Sequence, residues 1–299
     1  MQEEFSKGEE RLCERLRLSG EEAAAFVQAL RSGACARKAV VLSPRAPADY
    51  APPFACEPTE GCPWLPPRVF IPAPGAAVTA HEDYRAGLFY VLDLSSCWES
   101  AALDCVPPPR SSLDLCAAPG GKTMLMAARY LPIDHTANEV NAARRGILRQ
   151  NIELCGLPGT TVTGLRPDQW GASGRVFDLL LVDAPCSGQS LLAKGLRNPG
   201  CLGAPMVNGN AKRQRGIMLA AIRCVAPGGH LLYTTCTYDP EENEKVVSYI
   251  LRRYPEWQAV PVPCLQGFAS RLADFPAYRM LPVQGVGAGG FACLLQRKG

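Results

Sequence analysis

The sequence has no run of apolar residues approaching the length of about eighteen that a membrane-spanning helix needs, so the chain reads as soluble, with one large domain or two smaller ones. It lacks a strong charge of either sign. Lys and Arg number 31 against 28 Asp and Glu, a net charge of +3, so any nucleic-acid partner must be held by a local basic patch. The opening MQEEFSKGEERLCERL has no apolar stretch of the signal-peptide kind, which predicts a cytoplasmic protein with reduced thiols. Histidine is scarce (His81, His135 and His230), and no CxxC pair occurs among the 14 cysteines, so a zinc framework is disfavoured and no metal is expected. The 27 Pro and 28 Gly show no period, which excludes collagen, while 47% hydrophobic and 20% charged residues exclude a disordered polyelectrolyte. Most of the cysteines are therefore expected to be small core hydrophobes.

What is present divides into two parts. Glu9–Gly33 reads as two short helices: EERLCERLRL, then AAAFVQALRSG behind a capping box of Ser19 and Glu22, with Gly33 as the stop. Residues 43–78 hold many prolines, which can neither continue a helix nor sit in a central strand, so an irregular linker or extended cover is expected there. From about Ala80, short apolar runs alternate with helical patterns, the signature of βαβ units and a sheet covered on both faces. The expected strands are Ser112–Leu115, Thr136–Val140, Thr160–Leu165, Phe177–Val182, His230–Thr234, Gln258–Val262 and Phe291–Gln296. The expected helices are Lys122–Tyr130, Asn141–Cys155 ending at Gly156, Ala211–Val225 and Glu241–Tyr254. The predicted class is α/β, with residues 1–75 as a small helical and Pro-rich region, a candidate RNA-binding accessory, and residues 76–299 as the catalytic domain.

In open α/β sheets, ligands bind beyond the carboxyl ends of the strands. The first expected strand runs into LDLCAAPGGKT (Leu113–Thr123), where Pro119-Gly120-Gly121 opens a helix, leaving free N–H groups and bare backbone against which a nucleotide-type cofactor can lie. A phosphate loop is disfavoured because Cys116 stands where its first Gly would be, and there is no GxGxxG, so adenosine without a pyrophosphate fits better. Glu139, eighteen positions past Gly121, is where such folds place the acid that takes the ribose hydroxyls; a helix-capping Glu is the equal alternative.

Two further strand ends carry thiols. VFDLLLVD ends in Asp183-Ala184-Pro185-Cys186-Ser187-Gly188, and GGHLLYTT ends in Cys236-Thr237-Tyr238. Neighbouring strands lie about 4.8 Å apart, so both thiols could face one small planar substrate. A single Cys is more often a packing residue, but this pairing at two strand ends favours chemistry. A thiolate attacks electron-poor carbon once its pKa is lowered or a base adjoins it. A Cys–His peptidase is the rival use, yet none of the three histidines falls at a strand's carboxyl end.

LDLCAAPGGKT, DAPCSG and TTCTYDPEENE (Thr234–Glu244) resemble the signature motifs of the RNA cytosine-5 methyltransferases, the family that includes the bacterial ribosomal RNA enzymes and the Sun group. The resemblance covers roughly Ala80 to Arg297 and takes in HEDYRAGLFYVLDLSS (His81–Ser96) and PDQWG (Pro167–Gly171). It implies a Rossmann-like class I S-adenosylmethionine-dependent methyltransferase with a seven-stranded, mostly parallel sheet, and methylation of carbon 5 of cytosine in RNA. That carbon is a poor nucleophile until a thiolate adds to carbon 6. By the resemblance, Cys236 is the attacking thiol, Cys186 assists proton removal and product release, and Asp183 hydrogen-bonds the base edge and stabilises its protonated ring nitrogen. The resemblance also implies that Cys116, Ala117, Ala118, Pro119, Gly120, Gly121 and Lys122 surround the amino-acid and ribose portions of S-adenosylmethionine. It puts Glu139 on the ribose hydroxyls, Asp168 near the adenine amino group and Asp183 beside the methyl donor. Arg144 matches a basic position common in the family, though a surface Arg is as consistent.

The segment from Lys194 to Arg215 contains Lys194, Arg197, Lys212, Arg213 and Arg215 with no acid, and is the expected RNA phosphate contact, against the alternative of a solvated surface run. A cytosine must be splayed out of its stack to reach the thiols. The chain departs from the family at Pro282-Val283, where a Pro-His pair is usual, and at AKGLRNPG after DAPCSG. These departures bear on target choice more than on the reaction. The expected partner is ribosomal RNA, free or within a ribosomal particle, and transfer RNA second, with the protein acting as a monomer. A non-catalytic RNA-binding assembly factor is the rival class. A nitrogen or DNA methyltransferase is a further rival and would prefer a proline-aromatic motif where Asp183–Cys186 stands.

Overall fold

In the computed structural model, which describes residues 4–131, 133–157 and 159–299, α1 (Lys7–Leu16) begins at a capping box. Ser6 N–H donates to Glu9 Oε2 at 2.7 Å, and Glu9 N–H to Ser6 Oγ at 3.4 Å. The box expected at Ser19 does not form. The chain enters α2 (Gly20–Ser32) through Gly20 at φ 53°, outside the helical geometry a box needs at that position, and Ser19 makes no capping bond. Gly33 ends α2 at φ 63°, as expected. Leu12, Leu16, Phe26, Val27 and Leu30 bury their faces together with Ala193 and Tyr238.

The proline-rich stretch is more ordered than an irregular linker. β1 (Lys38–Leu42) pairs antiparallel with β2 (Val69–Phe70) and, after the short α3 (Glu82–Arg85), with β3 (Phe89–Asp93); Val40 stands opposite both Phe70 and Val91. The two-residue β2 lies at the sheet edge between Pro67 and Pro72, the place where prolines are tolerated. Asp93 accepts from Ser95 N–H at 2.9 Å and caps α4 (Leu94–Ser100).

The remaining elements are β4 (Ser111–Asp114), α5 (Gly121–Tyr130), β5 (Asp134–Asn138), α6 (Ala142–Cys155), β6 (Thr160–Thr163), α7 (Pro167–Ala172), β7 (Phe177–Asp183), α8 (Ser190–Ala193), α9 (Ala204–Ala221), β8 (Val225–Thr235), α10 (Glu244–Arg253), β9 (Trp257–Val260), β10 (Tyr278–Met280) and β11 (Gly290–Arg297). The sheet order is β10-β11-β8-β7-β4-β5-β6, with β9 also on β11. Strands β6, β5, β4, β7 and β8 are parallel, whereas β11 runs antiparallel to β8, β9 and β10. All seven expected strands are present; the eighth, β10, is three residues long and carries no period a sequence reader could use. Alternate residues of β7 face opposite layers. Leu179 and Leu181 pack with Trp98, Leu125 and Leu148, and Leu180 and Val182 with Trp170, Met218 and Val247. No helix among the described residues is long and apolar enough to cross a membrane.

Two helices, α9 and α10, differ from expectation in their bounds. α9 starts at Ala204 rather than Ala211 because Pro205 occupies its first turn, where a missing N–H costs nothing; it ends at Ala221, and β8 has begun by Val225. Pro227 and Gly228 are carried inside β8 at a shift of register against β7 between Phe177 and Leu179. α10 starts at Glu244 rather than Glu241, after a turn closed by Glu242 N–H to Asp239 O at 3.1 Å.

Candidate active site

From β4 the chain moves outward to β5 and β6 on one side, then returns to β7 and β8 on the other. The carboxyl ends of β4 and β7 therefore open a crevice at a topological switch point. A cavity of about 660 Å³ there is lined by Glu99, Lys122, Asp183, Cys186, Arg213 and Cys236 among others. A smaller one of about 190 Å³ runs along residues 90–93 and the loop after β4. Cys116, Lys122 and Asp183 line both.

The loop after β4 is held at its main-chain groups, by the backbone of Asn138 and by two side-chain donors. Ala117 N–H donates to Asn138 O at 2.8 Å, Arg144 Nη2 to Ala118 O at 2.6 Å, and Asn151 Nδ2 to Pro119 O at 2.8 Å. Ala118-Pro119 is cis, and Gly120 turns the chain at φ 120° into α5. A Cβ on Gly121 would stand 3.6 Å from Tyr90 and Leu92 across the smaller cavity. Thr123 Oγ1 donates to Asp114 Oδ2 at 2.7 Å, whereas Asp114 Oδ1 is buried without a partner, and burial pushes this carboxyl up to about 7. Glu139 Oε1 accepts from Asn141 N–H at 2.8 Å and its Oε2 lies 3.5 Å from Arg144 Nη1, whereas the cap of α6 is Asn141, whose side chain accepts Arg144 N–H. Asp168 sits exposed at the start of α7, 3.0 Å from Arg166 Nη2. Neither Glu139 nor Asp168 lines these two cavities, whereas Arg144 lines the larger.

The thiols meet because their strands are neighbours in register. Asp183 is paired with Thr234, Cys186 follows three residues after Asp183, and Cys236 directly follows Thr235. Their Sγ atoms are 3.1 Å apart, and both are free thiols. A buried polar frame holds the peptide groups on either side of Cys186. Gln214 Nε2 donates to Pro185 O at 3.0 Å and to Glu242 Oε2 at 2.9 Å, and Glu242 Oε2 also accepts Ser187 N–H at 2.9 Å. Asn198 Nδ2 donates to Ser187 O at 2.6 Å, and Ser190 N–H to Cys236 O at 3.2 Å. The hydrogen bond from Cys186 holds the Cys236 thiol below its ordinary value, with Lys122 and Lys194 acting in the same sense against burial and Asp183. The same bond, with burial, pushes Cys186 up. Within the pair, Cys236 is the thiol whose ionisation the surroundings ease.

Lys122 does not point to solvent beside the loop. Its Nζ lies 2.6 Å from Glu99 Oε2 and 2.8 Å from Asp183 Oδ2, and the two carboxylates hold its proton more firmly than usual although burial alone would loosen it. Glu99 was not singled out by sequence reasoning. The signal was available in CWESAAL, where one acid interrupts an apolar helix and so requires a buried partner. Gln214 and Glu242 were likewise missed as supports.

Of the basic residues expected to meet RNA, Lys194 and Arg213 line the larger cavity, and Lys194 Nζ is 3.0 Å from Asp93 Oδ2. Arg197 and Lys212 are exposed, while Arg215 is half-buried and donates to Ala211 O at 3.3 Å. No histidine lines either cavity; His135 is buried against Ser112 Oγ at 2.6 Å, with burial holding it down to about 4. Cys13, Cys97, Cys155, Cys201, Cys224 and Cys293 are buried as expected of packing residues, but Cys56 is exposed.

The family model described as 16S rRNA methyltransferase RsmB/F matches residues 103–296. Ribosomal RNA small subunit methyltransferase F of Klebsiella pneumoniae is 38% identical over 199 residues, 64% of this chain and 40% of that protein. The protein of the same name from Escherichia coli is 37% identical over 180 residues, 58% of this chain and 37% of its own length. The chain thus spans about two fifths of the length of these curated relatives. The solved methyltransferase homolog from Pyrococcus horikoshii superposes with a TM-score of 0.76 at 21% identity, covering 98% of this chain and 100% of that one, which bears on the fold alone. The fold is that of the Rossmann-like methyltransferases, and with the family model matched from just before β4 to the end of β11, the chain belongs to the 16S rRNA methyltransferase RsmB/F family.

Proposed function

We propose that this protein transfers a methyl group from S-adenosylmethionine to carbon 5 of a cytosine in RNA, with small-subunit ribosomal RNA, free or in a ribosomal particle, as the first substrate and transfer RNA as the second. It acts as a monomer in the cytoplasm, with residues 76–299 catalytic and residues 1–75 accessory to RNA capture. The observation that carries this reading is the 3.1 Å approach of Cys186 and Cys236 over a cavity that shares Lys122 and Asp183 with the loop after β4.

The residues around the smaller cavity suit the cofactor. Asp114 Oδ1 is a buried acceptor without a partner, suited to an ammonium group, and the backbone of residues 116–121 leaves room for a flat ligand edge. Glu139 and Asp168 are assigned to the ribose and adenine. When bound, S-adenosylmethionine supplies the methyl group as an electrophile. The chain's own residues supply the rest. Cys236 Sγ forms a bond to carbon 6 of the base, and the displaced electron pair moves to carbon 5, the enamine carbon that accepts the methyl group. Asp183, fixed by Thr234 Oγ1 at 3.0 Å and by Lys122, accepts a hydrogen bond from the protonated ring nitrogen. After transfer, the carbon 5 proton passes to solvent water with Cys186 assisting; its bonding electrons re-form the ring double bond and the Cys236 sulfur leaves as a thiolate. Lys194, Arg197, Lys212, Arg213 and Arg215 hold the RNA backbone at the rim.

The test is transfer of labelled methyl groups to ribosomal and transfer RNA, with bisulfite mapping. Cys236→Ala should lose product by about a thousandfold or more. Cys186→Ala should instead accumulate a covalent RNA–protein adduct, seen as a band stable to denaturation. Undiminished methylation by Cys236→Ala would sink the nucleophile assignment, and an unchanged cytosine methylation map in cells without the protein would favour the assembly-factor class.

A further inference from the structure

We infer that Glu99 gives this site its preference for the positively charged cofactor over its neutral product: the Glu99–Lys122–Asp183 cluster holds the sulfonium of S-adenosylmethionine more tightly than the thioether of S-adenosylhomocysteine. The inference rests on the reading above that the crevice takes S-adenosylmethionine.

Asp183 alone would neutralise Lys122. Its Oδ2 is 2.8 Å from Lys122 Nζ, and its side chain is open to the cavities. The second carboxylate therefore leaves the cluster one negative charge in excess. Glu99 is only 2% exposed, and β11 is shaped to leave room for it: a Cβ on Gly290 would collide with Glu99 Oε1. A sealed excess charge is costly unless another cation shares it. Lys122 and Asp183 also line both cavities, the one bordered by the thiols and the one bordered by the loop after β4. A methyl donor bridging loop and thiols must place its reacting sulfur at that junction. Transfer turns a sulfonium into a neutral thioether, so the excess negative charge attracts the reactant and has no equal hold on the product.

In the absence of a cation the same charge is relieved by a proton. Burial pushes Glu99 up to about 8, moderated by Lys122 and reinforced by Asp183 and Cys236. The ionisable groups around it are Lys122 from α5, Asp183 from the end of β7, Cys236 from the loop after β8 and Cys97 from its own helix. Binding of a cation favours ionised Glu99. A proton from Glu99 should therefore leave as S-adenosylmethionine binds, and its affinity relative to that of S-adenosylhomocysteine should rise with pH up to about 8 and then level off, the titration of Asp114 being common to both ligands.

Calorimetric titration of the whole chain with S-adenosylmethionine and with S-adenosylhomocysteine, in two buffers of different ionisation enthalpy, tests this. Glu99→Gln should weaken S-adenosylmethionine by about tenfold, keep S-adenosylhomocysteine within about twofold, and remove the proton release that S-adenosylmethionine shows beyond S-adenosylhomocysteine, since Asp114, raised to about 7, contributes to both ligands alike. Retained product binding reports that the variant is folded. Glu99→Asp, which keeps the charge, should retain most of the preference. An unchanged ratio of the two affinities in Glu99→Gln, or equal weakening of both ligands, overturns the role of Glu99. Wild-type protein that binds neither ligand overturns the cofactor reading itself, which is a separate outcome.

Discussion

Side chains bind main-chain groups on both sides of the crevice, but from different depths: Arg144 is exposed, whereas Gln214 and Glu242 are fully buried. The loop after β4 is shaped by its backbone: a cis proline, a glycine at φ 120° and main-chain carbonyls bound by Arg144, Asn151 and Asn138. The loops carrying Cys186 and Cys236 are held from beneath by buried side chains, with Gln214, Glu242 and Asn198 fixing the peptides around one sulfur. A surface that must accept a whole cofactor is served by bare main chain, which gives broad contact. A pair of sulfurs 3.1 Å apart demands directional support, because a displacement of about 1 Å can cost on the order of a hundredfold in rate.

The contrast can be broken from either side. Glu242→Ala strips the acceptor from Ser187 N–H and Gln214, and should lower methyl transfer by about a hundredfold while leaving the S-adenosylmethionine dissociation constant within about twofold. Single-turnover rates alongside calorimetry would show it, and a parallel loss of both would erase the distinction. Asp114→Asn acts on the other side. Cofactor affinity should fall by about tenfold, while the adduct formed in a Cys186→Ala background should persist in amount.

The smallest effect is expected far from both loops. Burial raises the Glu9 carboxyl, but the Arg31 and Ser6 hydrogen bonds outweigh it and bring it down to about 2 from 4.5. A depressed folded value means that this stabilisation is complete above about 4.5 and is lost as pH falls toward about 2. Hydrogen exchange should show α1 and α2 losing protection in that window before the central sheet does, and Glu9→Gln should remove the dependence.

The central sheet was legible because its strands are short apolar runs separated by helical periods, and the thiol pair because each sulfur closes such a run. The small antiparallel sheet was not. Lys38–Leu42 and Phe89–Asp93 are separated by 46 intervening positions rich in proline, and no local pattern announces a pairing at that distance. The polar frame was hidden for a different reason. Gln214 lies among Lys212, Arg213 and Arg215, so a reader of charge sees a solvated face, yet the helical turn puts Gln214 fully inside while Lys212 stays out. Pro205 and Pro227 misled in the same way, since one opens α9 and the other rides a register shift in β8.

The packing of α1 and α2 on the loop after β8 sets an order of events in assembly. Phe26 meets Tyr238 edge-on at 5.5 Å, and Arg15 binds Asp239 across 224 positions of chain. The amphipathic helices therefore leave the ribosome long before the residues that cover them, and wait with Phe26 and Leu30 uncovered. The segment just beyond Cys236 gains this buttress only when those distant helices dock.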